Sequence, residues 1–415
     1  MTSNEFKRRR RQLMRMMGPG SIAILPTAQQ AIRNRDVHHA YRPDSDFYYL
    51  TGFPEPDAVA VLVPGRPSGE YVLFCREHDP KRAQWDGPHA GQEGAVEVYG
   101  ADDSFPIADL DDILPGMLER CERVFYAMGS NPGLDKRMPE WIAHIRSQSR
   151  SGRQGPVEFL ALDHFLHDMR LYKSRSEVAV MRRAAKISAA AHKRLMRECR
   201  PGMAEYELEA AFVHECTVRG ARQQAYPSIV GGGENACVLH YVNNAAPLRD
   251  GDLVLVDAGC ELECYASDIT RTFPVNGRFS APQRALYDLV LAAQLAAIDK
   301  VRPGNHWNEP HAAAVKVLTR GLVKLGLLKG QVARLVKNEK YTRFYMHRTG
   351  HWLGMDVHDV GDYKVDGHWR ELEPGMVLTV EPGLYVPGNL RGVAKKWRGI
   401  GIRIEDDVLV TKGEP

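Results

Sequence analysis

The stretch "HRTGHWLGMDVHD" holds His347, His351 and His358, three of the chain's 16 histidines, within twelve residues on a backbone interrupted by Gly350 and Gly354. A single imidazole is ordinarily a core or surface residue; three at this density point to a site that binds metal or moves protons. Carboxylates recur in patterned settings nearby. "DLVLVDAG" and "CYASDITRTFPV" read as two strands joined through the polar "ELE", carrying Asp257 and Asp268. A turn centred near Leu262 sets these acids opposite one another on one sheet face, with Cβ atoms roughly 4.5–5.5 Å apart. Like charges so placed need a compensating cation or a raised pKa. "GMVLTVEPGLYV" and "GIGIRIEDDVLV" offer the same arrangement with Glu381 and Glu405, the latter strand also bearing Arg403.

Four carboxylates and one imidazole are a specific donor set. Oxygen-rich ligation suits hard divalent ions such as Mn or Mg, and an imidazole extends the range to Co, Fe and Zn. Five side chains exceed what one catalytic zinc with an open position takes. They suit two metals about 3.5–4 Å apart, bridged by carboxylates and a hydroxide.

The elements that position these acids echo one another. "LRDGDLVLVDAG" (248–259) aligns with "LEPGMVLTVEPG" (372–383), so Asp257 corresponds to Glu381. Helices are expected after each of two Arg-Pro-Gly starts, at Arg200 and Arg302. A duplicated domain follows, with the site on its pseudo-twofold axis. Ser174 and Glu177 form a capping-box pattern opening a long helix. Ahead of it, "AVAVLVP", "EYVLFC" and "RVFYAM" mixed with helical stretches predict a separate α/β domain over 1–165, the second domain covering 173–415. The Ser/Gly/Arg-rich "RSQSRSGRQGPVE" reads as the connection between them.

Composition narrows the class. Lys plus Arg total 55 against 52 for Asp plus Glu, a balance that argues against nucleic acid as the main partner. Seven cysteines without a CxxC pair favour a reducing compartment, hence the cytoplasm. No apolar run approaches the roughly 20 residues that span a bilayer. The N-terminal "NEFKRRRRQLMRMMGPG" lacks the uninterrupted apolar region of a secretory signal. It reads as a short helix burying Phe6, Leu13 and Met17, with its arginines on a solvated face. "GGGEN" (231–235) lacks the Lys-Ser/Thr of a phosphate loop and reads as a tight turn leading to His240.

"HRTGHWLGMDVHDVG", "DAG" followed eleven residues after its Asp by "DITRTF", "VEPGLY" and "GIGIRIEDD" closely resemble the proline-specific metallopeptidases of the pita-bread fold, the aminopeptidase P family in particular. "YRPDSDFYYLTGFPEPDAVAVLV" resembles that family's amino-terminal domain, so the likeness spans nearly the whole chain. It implies a creatinase/aminopeptidase P-like N-terminal α/β domain ahead of a pseudo-twofold α+β catalytic domain. It further implies Asp257, Asp268, His351, Glu381 and Glu405 as ligands of two divalent ions, usually manganese, with Asp268 and Glu405 bridging. A hydroxide between the metals would cleave the bond before proline in Xaa-Pro-Yaa peptides, Glu381 helping to move its proton. His358 would steady the scissile carbonyl. His347 and Arg403 would contact substrate around and beyond proline, with His240 on the opposite wall and Tyr226 and Tyr385 in the pocket lining. Trp85 of "AQWDGP" would approach a neighbouring subunit's site, in a homodimer or homotetramer built through the first domain.

Prolidase, which prefers Xaa-Pro dipeptides, shares the ligands. Methionine aminopeptidase shares them without the N-terminal match, and creatinase shares the architecture without metal. A non-catalytic binding module of this fold would be free to replace Asp257, Glu381 or His351, and all are present.

Overall fold

The computed structural model describes residues 1–413; Glu414 and Pro415, the end of the expected second domain, lie outside the described residues. The chain separates into two compact units, Met1–Met169 and Arg170 onward. The division falls within helix Leu162–Leu171. The Ser/Gly/Arg-rich stretch is not the connection. It lies inside the first unit, where Ser149–Ser151 makes a 3₁₀ turn and Glu158–Leu160 pairs in parallel with Arg123–Phe125. Its composition marks an exposed turn, which water satisfies equally well within a domain or between two.

In the first unit a six-stranded mixed sheet runs in the order Asp103–Pro106, Tyr71–Cys75, Val59–Leu62, Ser21–Pro26, Arg123–Phe125, Glu158–Leu160. Alternate residues such as Ile22, Ile24, Val59, Val61, Val72 and Phe74 face one buried cluster, as the period of two dictates. Helix Ser3–Met17 buries Leu13, Met14 and Met17, but its arginines are not all solvated. Arg9 and Arg10 are 1% and 4% exposed. They donate to the carbonyls of Tyr49 and Leu50, both at 2.9 Å, and lie over the Tyr49 and Tyr71 rings. Those carbonyls belong to the last turn of helix Ser45–Thr51, where orphan acceptors and the helix dipole both favour a cation.

The second unit shows the duplication as matched hydrogen bonds. Gly202 N–H donates to the Leu248 carbonyl (2.9 Å) and Leu248 N–H to that of Met203 (2.7 Å). Gly304, Leu372 and Asn305 repeat the pattern at 3.1 and 2.7 Å. Helices Glu205–Val218 and Asn308–Lys324 follow, each packed on an earlier long helix, Arg175–Glu198 and Ala281–Ile298. The Ser174/Glu177 capping box is present, with both of its bonds made. Each half then forms a long hairpin interrupted in the middle. In the first, Leu253–Asp257 pairs with Thr270–Pro274 and Cys260–Leu262 with Tyr265–Ala266. In the second, Val377–Val380 pairs with Asp406–Leu409 and Gly383–Val386 with Ile400–Arg403. Gly259 and Gly383, matched between the halves, sit at the interruptions. A Cβ on Gly259 would lie 1.7 Å from the Ser267 carbonyl oxygen, so only glycine fits.

Candidate metal centre

The hairpin interruptions are where the acids gather. The first turn is centred on Glu263–Cys264, both left-handed (φ 51° and 62°), one residue later than the sequence suggested. Asp257 therefore faces Thr270, and Asp268 lies on the same face but diagonally displaced toward the turn. The expected direct opposition of Asp257 and Asp268 is incorrect; the diagonal spacing relieves part of the like-charge repulsion. In the second half the continuous register does set Glu381 opposite Glu405. The pairing also reassigns the internal match: Glu405 occupies the place of Thr270, and Arg403 that of Asp268. Across the pseudo-axis Thr270 Oγ1 donates to Glu405 Oε2 at 2.5 Å and Arg403 Nε donates to Thr270 Oγ1 at 3.2 Å.

His351 reaches this place because residues 349–353 lie antiparallel along Val377–Val380. Thr379 N–H donates to the His351 carbonyl, and Glu381 N–H to that of Thr349 (2.9 and 2.8 Å). Gly350 permits the approach, since a Cβ there would sit 2.0 Å from the Thr379 carbonyl oxygen. The loop beyond, bearing His358, is pinned by Asp359, which is buried and accepts from Lys173 (2.9 Å) and Arg170 (2.6 Å).

Asp257, Asp268, His351, Glu381 and Glu405 all line one cleft of about 470 Å³, with Tyr226, His240, His347, His358 and Arg403. Ligand atoms of Asp268, His351 and Glu405 lie within 4.8 Å of one another. His351 Nδ1 donates to the Trp352 carbonyl at 2.9 Å, so Nε2 is the nitrogen that carries the lone pair in the neutral ring, and it points at Asp268, 3.4 Å away. The electrostatics suit a bound cation. Burial pushes Glu381 up to about 7, against the pull of His351 and Arg403. Burial and then Asp268, Glu381 and Asp257 hold Glu405 well above the carboxylate range. For Asp257 burial outweighs Arg403, whose Nη2 lies 2.6 Å from Oδ2. Asp268 is held low: burial would raise it, but the hydrogen bond and charge of His351 prevail. Burial lowers His351, yet Asp268 and Glu381 lift it to about 9. Three buried carboxylates and the half-buried Glu381, sharing one imidazole and one guanidinium, suit divalent ions, so the donor set fits the metals that the sequence implies.

Tyr226 O–H touches Asp257 Oδ1 at 2.7 Å and Asp268 Oδ1 at 2.5 Å, and its side chain lines the cleft beside them. Tyr385 is fully buried and stands behind the lining instead of in it. It links two expected substrate residues in a directed chain. Arg403 Nη1 donates to the Tyr385 oxygen (2.9 Å), Tyr385 O–H donates to His347 Nε2 (2.9 Å), and His347 Nδ1–H donates to the Arg348 carbonyl (2.7 Å). The terminal carbonyl fixes this order, because it can only accept. Burial, then Arg403, keep His347 neutral, with its pKa down at about 3. Both His347 nitrogens are thus spent. His358 and His240 line the exposed mouth with ring nitrogens that make no hydrogen bond among the described residues. Trp85 belongs to the first unit, 89% exposed on helix Pro80–Asp86, whereas the cleft is lined by the second unit alone.

Sequence reasoning missed Glu205. Its fully buried carboxylate accepts from Gly232 N–H (2.7 Å), Asn235 Nδ2 (2.9 Å), Tyr241 O–H (2.9 Å) and Ala246 N–H (2.8 Å), lashing down the loop that carries His240. A buried donor left unpaired costs about 1–3 kcal/mol. Glu205→Ala is expected to lose on the order of 3 kcal/mol in urea unfolding and to raise KM more than it lowers kcat; unchanged stability would contradict this.

Residues 179–412 match metallopeptidase family M24, and residues 6–126 match the aminopeptidase P N-terminal domain. The chain is 45% identical over 413 residues to the Xaa-Pro aminopeptidase of Escherichia coli (strain K12), covering 99% of this chain and 93% of that one. It is 37% identical to the mitochondrial intermediate cleaving peptidase 55 of Arabidopsis thaliana, covering 98% and 78%. The structure of Pseudomonas aeruginosa aminopeptidase PepP superposes with a TM-score of 0.99 at 62% identity, over 100% of this chain and 94% of that one. Zinc-substituted E. coli aminopeptidase P in complex with product gives 0.97 at 44%, over 100% and 94%. A match over more than half the chain, joined to a full-length relative of such identity, means that the chain belongs to metallopeptidase family M24, with an N-terminal domain of the aminopeptidase P type.

Proposed function

We infer that the protein is a Xaa-Pro aminopeptidase, hydrolysing the bond between an N-terminal residue and a following proline. The observation that carries this reading is the convergence of Asp257, Asp268, His351, Glu381 and Glu405 on one cleft. We assign them as the ligands of two divalent ions, manganese in the cell. When bound, such a pair supplies a nucleophile at neutral pH and polarises the scissile carbonyl.

The chain's own groups do the rest. Thr270, Tyr226 and Arg403 hold the carboxylates by hydrogen bonds, and Trp352 fixes the His351 tautomer. Glu381, lining the cleft beside the other acids, takes and returns a proton during attack. The amide before proline has no N–H to offer, so the enzyme must grip the carbonyl; His358, with an unspent N–H at the mouth, serves there. His347 presents its ring beside the substrate while its nitrogens stay within the Arg403–Tyr385 chain. His240 forms the facing wall. We place the protein in the cytoplasm as a homodimer or homotetramer, in which the exposed Trp85 of one copy approaches the cleft of another.

The test is protein stripped with chelator, restored with manganese, and offered Ala-Pro-Ala and Ala-Pro side by side. Free alanine from the tripeptide, lost on chelation, is expected. Release from the dipeptide alone would instead make it a prolidase.

A further inference from the structure

Two arginines line the cleft, and they differ in kind. Arg403 is buried and committed to Asp257 and Tyr385. Arg348 is exposed, and its guanidinium makes no hydrogen bond or ion pair among the described residues. Its position is nonetheless built. Its carbonyl accepts from His347 and the next carbonyl, that of Thr349, accepts from Glu381 N–H, so the backbone on both sides is fixed. Its guanidinium lies 5.5 Å over the Trp369 ring, and Lys364 Nζ lies 4.5 Å over the same ring. A two-stranded ladder holds that tryptophan, pairing Lys364 with Trp369 and Val365 with His368. A cation over an exposed aromatic face gains only about 0.5–1 kcal/mol. That is enough to bias the direction of the side chain while leaving its N–H fork unspent. An unspent guanidinium fork is a receiver for a carboxylate.

With Arg403 committed to Asp257 and Tyr385, Arg348 is the guanidinium of this cleft with N–H donors left to offer an anionic group. A residue spans at most about 3.6 Å, so a tripeptide cut after its first residue ends roughly 7 Å beyond the scissile carbonyl. We propose that Arg348, steadied by Trp369, is a specificity determinant that receives the C-terminal carboxylate of short Xaa-Pro-Yaa peptides. The inference rests on the aminopeptidase reading and adds to it a preferred substrate class: tripeptides with a free carboxylate.

The experiment compares Ala-Pro-Ala with its C-terminal amide, using manganese-loaded wild type, Arg348→Ala and Arg348→Glu. Wild type is expected to show a KM for the free acid about tenfold below that for the amide, the scale of a charge-assisted hydrogen bond. Arg348→Ala should bring the two within about twofold, and Arg348→Glu should invert the preference. A wild-type ratio near one, or one that Arg348→Ala leaves intact, overturns the assignment while the aminopeptidase reading stands. Cleavage of neither peptide by loaded wild type overturns that reading, and this one with it.

Discussion

Glu381→Ala is expected to lower kcat on Ala-Pro-Ala by at least about three orders of magnitude, the middle of the range for removing a positioned proton-transfer group, with loss of a ligand adding to it. The fold should survive, because the backbone at 381 is held independently: its N–H donates to the Thr349 carbonyl at 2.8 Å and the strand before it keeps its ladder to Asp406–Leu409. The same substitution should stabilise metal-free protein at neutral pH. Glu381 shares its surroundings with Asp257, Asp268 and Glu405, and removing it relieves a repulsion that already shows in their displaced titrations. Gain of melting temperature with loss of turnover is the signature of a group kept for chemistry at a cost in stability. Turnover at saturating manganese and melting of the stripped protein measure the two effects. A kcat within tenfold of wild type would remove Glu381 from the reaction.

The gathering of four acids was legible in the sequence because acids rarely end buried strands without cause, and here four did so within echoing frames. Their exact geometry was not. A turn one residue later than its polar letters suggest changes which residue Asp257 faces, and nothing local distinguishes "ELE" from "EC" as the apex. The left-handed pair Glu263–Cys264 carries no Gly or Asn to announce it. The echo itself misled at a second level. Asp268 and Glu405 looked equivalent, yet the register matches Asp268 with Arg403 and Thr270 with Glu405, so the two halves place acid and partner in exchanged positions. Glu205 shows the same economy. It stands where the second half has Trp307, which packs on Trp352 and Tyr363 at ring distances of 4.1 and 4.6 Å. One half anchors a loop by hydrogen bonds at the place where the other anchors by stacking. Glu205 bonds mostly loop donors, which leave no motif. Tyr385 was expected in the wall from the family resemblance; its hydroxyl chain to Arg403 and His347 requires three-dimensional placement to see.

Metal-free protein is expected to lose stability as pH rises from 7 to 9, and manganese should reverse that trend. His351, lifted to about 9, keeps its proton when folded but loses it near 6.5 when unfolded, so its contribution is complete below 6.5 and vanishes as pH passes 9. Glu381, lifted to about 7, contributes in the same direction earlier, between the ordinary carboxylate range and neutrality. Other groups oppose this below 6.5: burial holds His192 and His311 near 4 and, with Arg403, His347 near 3, so folding improves as pH climbs toward 6.5 and is indifferent above it. Asp268 and Asp359, held low, have finished contributing well before neutrality. Between 7 and 9 Cys260, which the hydrogen bond of Cys216 draws down to about 7, adds stability, while His351 is joined on the falling side by Glu405 and Asp407, both held well above the carboxylate range by burial and by Asp268, so the falling contributions outnumber the rising one. A divalent ion needs His351 neutral and the carboxylates ionised, so its binding strengthens over the same interval. At a thousandfold excess over Kd it would add about 4 kcal/mol, or roughly 8–16 °C in a unit of this size. Differential scanning fluorimetry of stripped protein, with and without manganese at pH 5, 7, 8 and 9, gives the answer. A manganese shift equal at pH 5 and 8 would mean that the acids of the cleft do not hold the ion. A metal-free melting temperature that climbs from 7 to 9 would mean that His351 does not carry the proton its neighbours impose.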